Sequence, residues 1–271
     1  MATSSIIRTL AAAPDTEATM PALFIGHGSP MNAIEDNEFS QAWVEVARSL
    51  PKPKAVLCVS AHWETSGTRV TAMEQPKTIH DFYGFPPALF EKRYPAPGSP
   101  DLARTAQGLA RKSPIELDSD WGLDHGAWSV LCRMFPDADV PVVQLSLDQR
   151  KAPAAHYALG RELRGLRKKG VLILGSGNMV HNLGEMAWED TAYDWALAFD
   201  AQMKGLILSG DHEAIIGYSK LGRSARLAVP TPEHYLPLLY VLGTQDDSDG
   251  VSFFADKVTL GSMSMRSVKI G

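Results

Sequence analysis

Two short apolar runs that each lead into a histidine constrain this chain most: ALFIGHGSP at Ala22–Pro30 and AVLCVSAHW at Ala55–Trp63. Runs of this length, rich in Val, Ile, Leu and Phe and closed by Gly, Ser or Pro, read as buried strands. His27 and His62 then stand at the carboxyl ends of two strands, where open α/β sheets collect their chemistry. Two imidazoles delivered to one place suggest a metal site.

The rest of the chain alternates strand and helix signals. Phe39, Trp43, Val46 and Leu50 are spaced for a helix over Glu38–Leu50, closed by Pro51 and Pro53. A more polar strand is expected at 69–75, and a helix capped by Ser99 with Pro100 in its first turn is expected to run to Lys112. Asp124 is placed to cap an apolar helix over Ala127–Phe135, and Val140–Leu147 reads as a strand. Ala152–Lys169 reads as a helix with a basic last turn, and Gly170–Gly175 as a strand that breaks into GSGN. Thr191–Leu208 reads as an amphipathic helix. Thr231 is placed to cap another helix that runs to Leu242, with His234 in its first turn and a kink expected at Pro237, and Phe253–Ile270 reads as a hairpin. Residues 76–98 differ from all of this. They hold five prolines with His80, Phe82, Tyr83, Phe85 and Tyr94, which marks a functional loop or a lid. The pattern predicts one α/β domain over 21–271, preceded by a loose N-terminal arm at 1–20.

Composition excludes several classes. The 271 residues carry 26 Lys and Arg against 31 Asp and Glu, a net charge of −5, which favours neither nucleic acid nor an anionic membrane as partner. No apolar run approaches the ~20 residues of a spanning helix. The two cysteines, Cys58 in a strand and Cys132 in a helix, have no framework spacing, so a reducing, cytoplasmic setting is expected.

Of the eight histidines, His27, His62 and His181 sit at or just after strand ends, and imidazole is the commonest metal ligand. Their spacing matches neither a zinc finger nor HExxH, so the site would be assembled from distant segments. His234 is a fourth candidate: the positive end of its helix would favour neutral imidazole, the form a metal binds. Glu233 beside it is an alternative carboxylate ligand. His125 follows Asp124 and is a candidate acid/base, or else a capping-region residue. His80 is a candidate to close over a substrate, and Trp63, directly after His62, is placed near a ligand. His156 and His212 read as ordinary helix and loop histidines. GSGN lacks the Lys-Ser/Thr of a P-loop and the GxGxxG of a dinucleotide fold, so its glycines read as a close backbone approach to the site.

Six segments in order, GHGSPM, SAHWE, IHDFYGFP, LDHGAWSVL, GSGNMVHNL and TPEHYLPLLYVLG, resemble the extradiol ring-cleavage dioxygenases of the protocatechuate 4,5-dioxygenase superfamily (class III), and within it the bacterial DOPA 4,5-extradiol dioxygenase type. The resemblance runs from about residue 21 onward. It implies a single three-layer α/β domain around a mixed, largely parallel sheet with helices on both faces. It further implies a metal on His27, His62 and His234, with His181 as the base or as a fourth ligand on zinc, and His125 as the other acid/base. Fe(II) is the metal expected for turnover, and Zn(II) is the other metal that such a set accepts. The implied substrates are a small aromatic diol and O2, handled by a monomer or small homo-oligomer. Trp63, His80 and Tyr83 are expected to line the substrate pocket, with loop 76–97 as its wall; the alternative is an Ω-type loop that packs only on itself. Two other functions fit the same scaffold: a zinc-dependent hydrolase-like enzyme, and a non-catalytic metal-binding protein.

Overall fold

The computed structural model describes residue 10, residues 14–16 and residues 18–271. Twelve strands occur among them: β1 (Ala22–Gly26), β2 (Ala55–Thr65), β3 (Thr68–Thr71), β4 (Lys77–Thr78), β5 (Ile115–Asp118), β6 (Gly122–Leu123), β7 (Val142–Asp148), β8 (Val171–Gly177), β9 (Val251–Phe254), β10 (Val258–Thr259), β11 (Met263–Ser264) and β12 (Ser267–Ile270). Eight of them form one sheet in the order β5-β3-β7-β2-β8-β1-β12-β9. The centre is parallel: β7, β2, β8 and β1 run the same way. The edges bring antiparallel pairs, β3 on β7 and β12 between β1 and β9. The mixed, mostly parallel sheet expected from the sequence is therefore present.

Alternation along the central strands divides the core in two. Leu23, Ile25, Val56, Cys58, Leu172 and Leu174 face one side, where they meet Trp43 of α1 (Glu38–Ser49) and Trp128 further along the chain. Phe24, Leu57, Val59, Val171 and Ile173 face the other, where the later helices pack. Asn37 caps α1 with bonds from the Phe39 and Ser40 amides, closed into a capping box by Ser40. The short α2 (Pro87–Glu91) lies within the aromatic loop. Ser99 caps α3 (Pro100–Leu109) as the sequence implied, although the helix stops three residues before Lys112. Asp124 caps α4 (His125–Met134) through the Ala127 amide. The long basic helix expected to Lys169 is α5 (Pro153–Leu163) followed by a 3-10 stretch, Arg164–Lys169. Then come α6 (Asp194–Ser209), α7 (His212–Ile216), α8 (Arg223–Ala228) and α9 (Leu236–Gly243).

Two expectations change here. Helix α9 begins at Leu236, so Thr231 does not cap it; the Thr231 hydroxyl bonds Glu233 instead, at 2.9 Å. Pro237 falls in the first turn, where a missing amide costs nothing, and not at a kink. His234 therefore sits in the turn before the helix. Most of the expected arm at 1–20 lies outside the described residues; of those described, Thr16 and Met20 donate backbone bonds to Lys168 and Arg167 on the body. No helix among the described residues is long and apolar enough to cross a membrane.

Candidate active site

Five histidines converge beyond the carboxyl ends of the central strands. His27 directly follows β1, His62 lies near the end of β2, His181 follows β8, His125 opens α4 and His234 precedes α9. Ring centroids stand 5.0 Å apart for His27 and His62, 5.3 Å for His27 and His234, 3.9 Å for His62 and His125, and 3.4 Å for the stacked pair His181 and His234. The backbone permits this crowding at two glycines. A Cβ on Gly126 would meet Ser60 Oγ at 2.5 Å and His62 Cδ2 at 2.8 Å, so only glycine lets α4 start against His62. A Cβ on Gly177 would fall 2.1 Å from the His234 carbonyl oxygen, the same oxygen that accepts the Asn178 amide. The GSGN turn is thus the close backbone approach that the sequence implied.

The proton positions follow from the partners. Ser176 Oγ lies 2.5 Å from the Gly126 carbonyl, which can only accept, so the hydroxyl proton is committed there. Ser176 Oγ must then accept from His27 Nδ1, 3.0 Å away, and His27 keeps its lone pair on Nε2. Glu233 Oε1 stands 3.1 Å from His234 Nδ1 and fixes that ring in the same way. Glu233 is therefore the partner of His234 and sits on the side of the ring away from Nε2. His27 Nε2 and His62 Nε2 face each other at 3.1 Å.

Burial, followed by the neighbouring imidazoles, holds His27 and His234 well below the ordinary histidine value. Burial first, then His125, pushes His62 down to about 3. Burial also pushes His181 down to about 4, against the pull of Glu233. All four are neutral and able to donate a lone pair near neutral pH.

The donor set fits a metal. Ligand atoms of His27, His62 and His234 lie within 4.8 Å of one another. Imidazoles bound at ordinary metal–nitrogen distances sit roughly 3.0–3.4 Å apart, which matches the 3.1 Å between His27 and His62. Each of the two rings whose tautomer is fixed is braced from behind, as ligating histidines are.

The substrate-side expectations are redistributed. Trp63 is buried and stacks on Trp121 at 5.4 Å, because neighbours in a strand point to opposite faces and His62 takes the site-facing one. Tyr83 is 90% exposed, beside Gly84 at a φ of 78°, where the loop turns outward. His80 is held inside the loop, with Nε2 2.9 Å from the Lys92 carbonyl and its ring against Phe82, Phe90 and Trp128. The aromatic that reaches the cluster is Phe82, edge-on to His125 at 5.6 Å. The loop is not irregular throughout: β4 pairs with β6, and Trp128 Nε1 donates to the Ile79 carbonyl.

The residue that the sequence reading missed is Asp81. Its Oδ1 accepts the His125 backbone amide at 2.9 Å, and its Oδ2 lies 3.0 Å from His125 Nδ1 and 3.7 Å from His62 Nδ1. Burial pushes its carboxyl up, but the bonds and charge of His125 and the charge of His62 outweigh that and leave it below the usual range. The available signal was a carboxylate next to His80 in a loop with no helix to cap. Behind the site, Asp124 bonds Ser60 and Gln144, and burial, then the charge of Asp81, pushes it up to about 6.

Known proteins resemble this chain over nearly its whole length. Residues 21–269 match the family model described as the catalytic LigB subunit of aromatic ring-opening dioxygenase. The chain is 48% identical over 258 residues to a protein of Escherichia coli (strain K12) named 4,5-DOPA dioxygenase extradiol, covering 93% of this chain and 95% of that one. It is 39% identical to the Beta vulgaris protein of the same name, over 91% of this chain and 94% of the relative. A crystal structure of an uncharacterized Escherichia coli K12 protein superposes with a TM-score of 0.81 at 43% identity, covering 93% of this chain and all of that one. These matches favour an oxygenase over a hydrolase or an inert metal binder on the same scaffold. With its histidines gathered as described, the chain belongs to the LigB family of aromatic ring-opening dioxygenases and is an extradiol dioxygenase.

Proposed function

We propose that this enzyme opens a catechol-type ring beside its diol, with O2, at an iron(II) ion held by His27, His62 and His234. The observation that carries the reading is the 3.1 Å approach of two Nε2 atoms, with the Nδ1 of His27 committed to Ser176. Bound there, iron(II) would acidify a catechol hydroxyl and supply the redox chemistry that zinc lacks.

The chain's own residues handle protons and water. His181, stacked on His234 and held neutral by burial, is the base that takes a hydroxyl proton. His125, whose Nδ1 faces Asp81, offers Nε2 as the second acid/base. Phe82, backed by His80, forms an apolar wall beside His125 that limits bulk water. Glu233 orients His234 and is not itself a ligand in this reading. The relatives' names put DOPA on the panel of substrates to test. Free, buried Cys58 and Cys132 suit a cytoplasmic enzyme, and the proposed working form is a monomer or small homo-oligomer.

The test is anaerobic stripping of metal, reloading with Fe(II) or Zn(II), and oxygen uptake with a panel of catechols. One O2 consumed per ring opened with Fe(II), and none with Zn(II), is expected. Full metal loading with no uptake on any catechol would overturn the assignment.

A further inference from the structure

Asp81 is the one charged group of the site that neither the fold nor the metal reading accounts for. It is brought in by the loop between β4 and α2, and its two oxygens have different surroundings. Oδ1 takes the backbone amide of His125 at the head of α4, where a carboxylate also suits the helix dipole. Oδ2 is turned to two imidazoles, 3.0 Å from His125 Nδ1 and 3.7 Å from His62 Nδ1. The shorter approach lies off the line of a hydrogen bond, which leaves His125 Nδ1 without a bonded partner, but a carboxylate oxygen at 3.0 Å can only accept and so favours a proton on that nitrogen over a lone pair. The longer one is beyond hydrogen-bond range and acts through charge. The side chain of His125 is 8% exposed and that of Asp81 21%, so water does not compete freely for this contact.

We propose that Asp81 is a positioning residue: Oδ2 fixes the His125 tautomer that leaves the lone pair on Nε2, and its charge favours the matching tautomer of His62. The proposal rests on the site reading above for its catalytic consequence, but not for its tautomer. It assigns the aromatic loop a second task beyond forming a wall. Any motion that withdraws Asp81 releases the His125 ring.

Substitution by asparagine separates this role from a structural one. In Asp81→Asn the amide oxygen still accepts the His125 backbone amide, so the loop stays anchored to α4. The group now facing the imidazoles is an NH2 donor, which drives the His125 proton from Nδ1 to Nε2. The experiment is 15N NMR of the full chain with labelled histidine, before and after zinc loading, together with steady-state kinetics of the Fe(II) form. In the parent protein His125 is expected to be protonated on Nδ1. In Asp81→Asn the proton is expected on Nε2, with the melting temperature little changed. kcat is expected to fall about 10²–10⁴-fold, the usual worth of an acid/base group whose proton is misplaced, with KM within a few-fold. Asp81→Glu should restore part of the lost kcat. A parent His125 protonated on Nε2, or a tautomer and kcat that Asp81→Asn leaves unchanged, would overturn the proposal. If Asp81→Asn does not fold, the parent tautomer still decides. If the tautomer moves as expected but no metal form turns over any catechol, Asp81 stands and the functional reading falls.

Discussion

Buried and half-buried histidines occur in two parts of this molecule, and they are used differently. On the α5–α9 side, His156 Nδ1 meets the Tyr240 hydroxyl at 3.0 Å, and near it His212 Nδ1 meets Tyr157 at 2.9 Å. Each ring there has one tyrosine as its partner. At the strand ends, five imidazoles have one another as neighbours, and the closest nitrogens, both Nε2, face each other at 3.1 Å. His27 presents a lone pair there, so two neutral rings at this distance need either a proton on His62 Nε2 or another centre between them. Either a proton or a metal ion can be that shared electron-poor centre, and the neighbouring His234 ligand atom within 4.8 Å suits the metal. Burial is common to both regions, so burial alone does not mark function; the direction of the unused nitrogens does.

The comparison breaks first at the ligands. His27→Ala or His62→Ala should abolish stoichiometric metal binding and turnover while leaving a folded chain, because both lie at strand ends. Elemental analysis beside circular dichroism decides it, and full occupancy would remove that residue from the ligand set. The next effect is on rate alone: His181→Ala should retain metal and lose about 10²–10⁴ in kcat, the usual worth of an acid/base group. Loss of metal with activity would make His181 a ligand.

The tyrosine-paired region should respond in stability and not in rate. Burial, ahead of the opposing pull of the Lys151 backbone and Asp148, holds His156 below its ordinary value of 6.5. As pH falls through that value the unfolded chain takes the proton first, so stability present above it is lost toward the lower folded value. His156→Gln should therefore flatten the fall in melting temperature between pH 7.5 and pH 5, at a cost of about 1–3 kcal/mol near neutrality. Kinetic constants that move with it would erase the distinction between the regions. The smallest contrast lies within the aromatic loop. Phe82→Ala should raise KM several-fold, whereas Tyr83→Ala, at a residue 90% exposed, should change neither KM nor stability measurably. Equal effects from the two would mean that the loop closes differently with substrate bound.

Sequence patterns revealed the central sheet because β1, β2, β7 and β8 are buried on both faces and read as continuous apolar runs. They also singled out His27, His62 and His181 by their place after strands and His234 by an expected helical first turn; the ligand atoms of His27, His62 and His234 do lie within 4.8 Å of one another, whereas His234 stands before its helix. Three things were hidden. Short strands such as β4 and β6 have two residues each and no period to detect. The side of β2 on which Trp63 falls depends on which neighbour the sheet turns inward, which adjacency to His62 does not reveal. Asp81 became visible only when β4 paired with β6 and carried the loop over the head of α4. A carboxylate's partner across distant segments is a tertiary fact.

Strand β12 carries none of the five histidines, yet it flanks the strand that ends at His27. Ala22 pairs with Ile173 on one side and Ile270 on the other, and the Gly26 amide donates to Ser267. During synthesis His27 is made long before either flank of its own strand exists. Closing such distant pairs is slow, so the early histidine stays unplaced until the late strands arrive. A metal bound by His27 would in this way be captured late in folding. A half-folded chain would then hold the early histidine away from its later partners, and the site would be completed last.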